Sequence, residues 1–252
     1  MKILFYLFIT VLFLSSCGVR YESLPYFTDL SLDSTTKERI QNQSILKIQK
    51  NDILAINVNS LNPQASAIFN MGSASSPDVA PSSAPTGYLV DQNGNIQLPL
   101  IGSVVVVGLT TAEARALLEK KLVTFLKEPV VSLRLVNFRV SVLGEVSKPG
   151  VYPVSNERVN VSEALSMAGD LTITGIRNNV LLIREKDGVR EYHRLNLQSK
   201  ELFNSPYYYL QNNDILYIQP SKAKYASIDS SYRNVSLVLS ALSVIALLIT
   251  RF

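Results

Sequence analysis

Between residues 44 and 220 apolar and polar side chains alternate in short runs separated by polar turns, a period-two pattern that predicts half-buried strands. The first run is Ser44 to Asn59, where Leu46, Ile48, Ile53, Leu54, Ile56 and Val58 are broken only by Lys50-Asn51-Asp52. Tyr88-Leu89-Val90 and Ile96-Gln97-Leu98 flank Asp91-Gln92-Asn93-Gly94-Asn95, and Asn-Gly accepts the positive φ of a tight turn, so a β-hairpin is expected. From Thr110 to Leu126 the period lengthens to that of a helix. Ala114, Leu117, Leu118, Leu122, Phe125 and Leu126 share one face, and Thr110 with Glu113 has capping-box spacing. Pro129 stops the helix, and Val130 to Val136 returns as a strand.

A second unit opens at Phe138. The strand Phe138 to Val146 leads through Ser147-Lys148-Pro149-Gly150, a turn in which proline sets φ and glycine takes the strained position. A short helix is expected over Val161 to Ala168, capped by Asn160 with Glu163 and closed by Gly169. Strands follow at Asn179–Arg184 and Val189–Asn196 around Asp187-Gly188, and a last one at Asp214–Gln219. This order predicts an α+β fold: a small mixed-sheet domain at 44–137, then a mixed sheet wrapped over one helix at 138–220. Gly72 to Gly87 is nearly all Ser, Ala, Pro and Gly and reads as a long exposed loop inside the first domain. One echo links the units: Gln49-Lys50-Asn51-Asp52-Ile53-Leu54 returns as Gln211-Asn212-Asn213-Asp214-Ile215-Leu216. A polar turn feeding an apolar strand explains both without a domain duplication.

Two apolar runs flank this body. Ile3 to Leu14 follows Lys2, is too short to span a bilayer, and ends in Leu14-Ser15-Ser16-Cys17. It reads as a secretion signal over 1–16 with a lipobox, so Cys17 is the expected acylated N-terminus, and Gly18-Val19 carries no acidic retention signal. Residues 17–43 become a lipid-anchored tether. At the other end, 221–234 reads as a linker and 235–250 as a transmembrane helix closed by Arg251 and Phe252. Ser236, Ser240, Ser243, Leu247 and Thr250 recur at helical spacing, so the hydroxyls of the three serines and the threonine form a stripe that either packs helix on helix or lines water. About 1.5 Å of rise per residue gives this segment roughly 24 Å, which suits a thin outer membrane.

The chemistry available to the chain is sparse. Cys17 is the only cysteine, so the body has no disulfide and no thiol nucleophile. The one histidine, His193, lies in an alternating strand, and no second His or Cys exists to build a metal site. No phosphate-cradling glycine loop appears, no cofactor is implied, and Asp52, Asp91 and Asp214 sit at turns or strand entries. The net charge of +4 is scattered rather than blocked, which argues against nucleic acid as a partner.

Taken in order, Asn51-Asp52-Ile53-Leu54, Val90 to Gly102 and Gly108-Leu109-Thr110-Thr111-Ala112-Glu113-Ala114 resemble the export domain of outer-membrane polysaccharide export lipoproteins, the Wza-like family. Val142 to Tyr152 and Ala164 to Leu171 resemble the soluble-ligand-binding β-grasp (SLBB) module that follows it. The resemblance implies a homo-oligomeric ring docked on an inner-membrane polysaccharide co-polymerase. Capsular polysaccharide or exopolysaccharide would pass through it, and outer-membrane lipid would surround its C-terminal helices. It implies no enzymatic activity. This chain has one β-grasp module where longer relatives have two or more, and it carries the Ser/Pro-rich insertion at Gly72–Gly87, for which the resemblance supplies no function. Two other readings stand beside the conduit: a scaffold lipoprotein whose β-grasp module holds a glycan or protein without a pore, and an enzyme acting on glycan.

Overall fold

The computed structural model describes residues 25–31, 35, 37–40, 46–70, 87–186, 188–228, 237–243 and 245. The first unit pairs β2 (Tyr88–Leu89), β1 (Ile53–Asn59) and β5 (Val130–Leu135) in one antiparallel sheet, with a separate hairpin of β3 (Asn95–Leu98) and β4 (Gly102–Val105). Alternation along β1 turns Leu54, Ile56 and Val58 inward, where α2 (Thr111–Leu122) presents Ala114, Leu118 and Leu122 to them. The capping box closes α2 at its start: Glu113 N–H donates to Thr110 Oγ1 at 3.1 Å and Thr110 N–H to Glu113 Oε2 at 2.8 Å. A helix not anticipated from the pattern, α1 (Pro63–Asn70), starts on Asn62, whose Oδ1 accepts the amides of Gln64 and Ala65, and buries Phe69.

The second unit is a five-stranded sheet in the order β7-β6-β10-β8-β9. Its strands are β6 (Arg139–Gly144), β7 (Gly150–Pro153), β8 (Val180–Lys186), β9 (Val189–Leu195) and β10 (Ile215–Ile218). Only β6 and β10 run parallel. One face buries Val140, Val142, Leu182, Leu216 and Ile218 under α3 (Val161–Met167), itself closed by the Asn160–Glu163 capping box. Gly144, at φ +94°, cannot be replaced without displacing β10, because a Cβ there would lie 2.0 Å from the Ile218 carbonyl oxygen. A 3-10 turn at Lys200–Asn204 and a short α4 (Lys222–Ile228) complete the described elements. Leu135 packs against both cores, so the units touch as well as follow one another.

Several expectations need correction. Residues 46–49 form no strand: Ile48 exchanges hydrogen bonds with the Gly108 and Leu109 backbone instead. The Asn93-Gly94 turn forms, but its flanking strands do not pair with each other. Asp91 takes the amides of Asn93 and Asn95 on its carboxylate, β2 joins β1, and β3 hairpins onto β4 through Pro99-Leu100-Ile101. Phe125 is 47% exposed because the helix ends at Leu122, before its face completes another turn. The expected transmembrane helix at 235–250 is overturned: among the described residues no helix is long and apolar enough to cross a membrane. Length is the physical reason: the segment allotted to it, 235–250, is shorter than the about 20 residues a helix needs to cross a hydrocarbon core about 30 Å thick. Residues 237–243 and 245 are helical with exposed side chains.

Candidate functional site

Of the residues singled out in the sequence, Cys17, Ser236 and Thr250 lie outside the described residues. Ser240 and Ser243 lie one helical turn apart, and the Ser243 hydroxyl donates to the Ser240 carbonyl at 2.8 Å, so it is satisfied within its own helix.

The chemistry of the molecule gathers where the two units meet. The echoed hexapeptides fold into the same turn, with Asn51 at φ 68° and Asn213 at φ 65°, a conformation asparagine tolerates better than most side chains. In each turn the aspartate accepts the amide of the glutamine three residues back: Gln49 N–H to Asp52 Oδ2 at 2.7 Å, and Gln211 N–H to Asp214 Oδ2 at 2.8 Å. The turns then face each other. Asn212 Nδ2 donates to Asp52 Oδ1 at 2.8 Å, and Gln49 Nε2 donates to Gln211 Oε1 at 3.1 Å. Asn137, between β5 and β6, donates to the Asn51 carbonyl and accepts from Ile53 N–H, while Arg139 donates to the side chains of Asn212 and Asn213.

Both aspartates are buried, and burial raises the pKa of each above the usual carboxylate range. Opposing that shift, the Gln49 amide and the Asn212 amide favour ionised Asp52, whereas Asp214 is held chiefly by Arg184. The Arg184 guanidinium grips Asp214 with both arms, Nε to Oδ1 at 3.0 Å and an NH to Oδ2 at 2.6 Å, and also donates to the Tyr209 carbonyl. His193 is half-buried in this network rather than a plain surface residue. Its ring stacks on Tyr207 at 3.5 Å, Arg184 lies 5.6 Å from the same ring, and Nε2 is 2.9 Å from Glu191. These groups satisfy one another, an arrangement that holds a shape.

Two surfaces complete the picture. The segment at 26–29 is strapped to the second unit: Phe27 stacks on Phe203 at 4.7 Å, Thr28 N–H donates to the Gln198 carbonyl, and Asp29 accepts from Ser199 and Lys200. Tyr26 donates to Asp170, and burial raises its phenol pKa. On the five-stranded sheet, the face turned away from α3 carries a row that crosses every strand, Val151–Ser141–Ile215–Ile183–Tyr192. Beside it runs Leu143–Tyr217–Leu181. Val151 is 58% exposed, Tyr192 60% and Leu143 43%. Strand pairing decides which residues share this face, so alternation alone did not reveal it. The seam did leave a trace in the sequence, the echo itself, but nothing local says that the two copies touch.

Comparison with known proteins fits this architecture. Residues 40–136 match the family described as polysaccharide biosynthesis/export protein, and residues 138–218 match the SLBB domain. The chain is similar to the EPS I polysaccharide export outer membrane protein EpsA of Ralstonia nicotianae, 35% identical over 103 residues, 39% of this chain and 27% of the relative. It is likewise similar to the EpsA of Ralstonia solanacearum, 33% identical over 91 residues, 35% of this chain and 24% of the relative. The matched stretch thus spans about a quarter of the length of these curated relatives. The chain therefore carries a polysaccharide biosynthesis/export domain followed by an SLBB domain.

Proposed function

We propose that this chain is the subunit of an oligomeric conduit that carries capsular polysaccharide or exopolysaccharide across the periplasm and the outer membrane. Its partners are further copies of itself, an inner-membrane polysaccharide co-polymerase, and the polymer in transit. Acylated Cys17 holds the assembly to the outer membrane, and the chain performs no chemistry on its substrate. The observation that carries this reading is the export domain and SLBB domain in one chain, pinned together by the Asp52–Asn212 and Gln49–Gln211 contacts. A passage for a polymer needs walls that keep their shape, and a buried polar seam satisfied on both sides supplies a fixed angle between modules.

Native mass measurement and crosslinking of the full chain in mild detergent test the proposal. Closed multimers with a central opening in low-resolution images are expected, together with loss of surface polysaccharide when the chain is deleted. Only monomers, with export intact in the deletion strain, would favour a scaffold lipoprotein. Mass spectrometry of the mature N-terminus tests the anchor, because an intact, unacylated start on the wild-type protein would remove Cys17 from the proposal.

A further inference from the structure

We infer that the open face of the five-stranded sheet seats a second copy of this chain, the adjacent subunit of the oligomer, an inference that rests on the conduit reading above. A sheet with one face on the core and the other in water carries polar side chains outward. Here the outward positions of four neighbouring strands include Val151, Leu143, Ile215 with Tyr217, and Leu181 with Ile183, with Tyr192 on the fifth, while Ser141 interrupts the patch and Arg139, Glu185, Arg190 and Arg194 border it. One row crosses five strands spaced about 4.8 Å apart and the second crosses three, which makes roughly 250 Å² of flat, largely apolar surface. A contiguous apolar patch of a few hundred Å² is about the largest a monomer ordinarily exposes, and such a patch is often functional.

The composition of the face selects the occupant. A glycan is recognised by convergent hydrogen-bonding groups, and this face offers hydrocarbon relieved by Ser141 and two tyrosine hydroxyls. Specific protein interfaces bury about 800 Å² per partner with an apolar centre and a charged rim. The two rows supply such a centre, and Arg139, Arg194 and the Glu185–Arg190 pair supply the rim. A closed ring requires each subunit to present two different surfaces that fit head to tail. The outward side of α3 provides the second: Met167 is exposed there, Glu157 and Glu163 stand at its start, and Arg158 is the sole cation between residues 157 and 169. Arg139 and Arg194 then meet carboxylates across the contact.

The test uses the full chain in mild detergent. Leu143→Glu with Tyr217→Glu places two charges in the centre of the face and leaves the buried core untouched. Association should weaken by at least about tenfold, with the circular dichroism spectrum unchanged. Val151→Lys with Tyr192→Lys, at the two edges and more than half exposed, serves as the second variant and should also lower the native mass. In a chain carrying both Met167→Cys and Tyr192→Cys, mild oxidation should give a ladder of covalent multimers. If the wild type is oligomeric and both charge variants keep its native mass, this inference fails and the conduit reading survives. If the wild type is itself monomeric, the conduit reading fails and takes this one with it.

Discussion

Asp52 and Asp214 occupy the same place in the same turn, each taking the amide of a glutamine three residues back and each leading into an Ile-Leu strand, yet only Asp214 meets a cation. The difference lies in what the rest of the fold brings to each. Strand β8 pairs with β10 and delivers Arg184 to Asp214. Among the described residues no cation bonds to Asp52, which instead receives the Asn212 amide, 160 residues away in sequence. The position matching Asn212 in the first turn is Lys50, which is exposed. A hexapeptide therefore dictates its own backbone, while its electrostatic partner is a property of topology. The asymmetry also assigns separate tasks: Asp214 ties together the second unit, and Asp52 ties the second unit to the first.

The widest separation between the two turns should appear on truncation. Asp214→Ala strands the buried Arg184 without its counter-charge, and removing one partner of a buried pair costs about 3–5 kcal/mol. Chemical denaturation of the second unit should register that loss, and an effect below about 1 kcal/mol would show that Arg184 reaches solvent or another acceptor. Asp52→Ala leaves only two neutral donors without an acceptor, Gln49 N–H and Asn212 Nδ2, so a smaller cost of about 1–3 kcal/mol is expected. Its signature is coupling between units. In a double-mutant cycle, Asp52→Ala and Asn212→Ala should fall short of additivity by at least about 0.5 kcal/mol, whereas Asp214→Ala with Asp52→Ala should add.

Legibility in the sequence follows the range of the interactions. Both capping boxes, Thr110–Glu113 and Asn160–Glu163, were readable because a cap is settled within four residues. The Asn62-Pro63 start of α1 is equally local, but the segment behind it is too short and weakly patterned to announce a helix. Strand β4 was missed because Gly102-Ser103-Val104-Val105 becomes a strand only when β3 offers it an edge. The aspartates looked like turn residues, which they are. That Asp52 meets Asn212, or that Ile183 stands beside Tyr192 on an open face, depends on pairings between distant segments that no window of sequence contains.

Smaller effects should come from the left-handed asparagines. Asn51→Ala and Asn213→Ala each force a Cβ-bearing residue without a helpful side chain into positive φ, at a cost of about 1–2 kcal/mol. Asn213→Ala also removes the acceptor for Arg139 Nε, and Asn51→Ala the acceptor for Gln92 Nε2, so the glycine variants should recover most but not all of the loss. Recovery that is complete for Asn51→Gly and partial for Asn213→Gly would place the more valuable side-chain bond in the second turn. Thermal melts of the four variants decide it.

The finest test is the pH dependence that Asp52 contributes. Burial lifts its folded-state pKa above the unfolded value, and its hydrogen bonds from Gln49 and Asn212 only partly reverse that shift. Between the two pKa values the folded state binds more protons than the unfolded state, so stability falls as pH rises through that window. The contribution is largest below the unfolded aspartate pKa and is lost above the raised one. Asp52→Asn abolishes this titration at a constant offset, because its amide nitrogen is set against the Gln49 N–H in place of a carboxylate oxygen. The stability of Asp52→Asn relative to wild type should therefore rise with pH across the acid range and then level, as Asp214 and every other group cancel in the difference. A flat difference would mean that Asp52 has the same pKa folded and unfolded, and a falling one would mean that the seam favours the carboxylate and that the Asn212 amide outweighs burial.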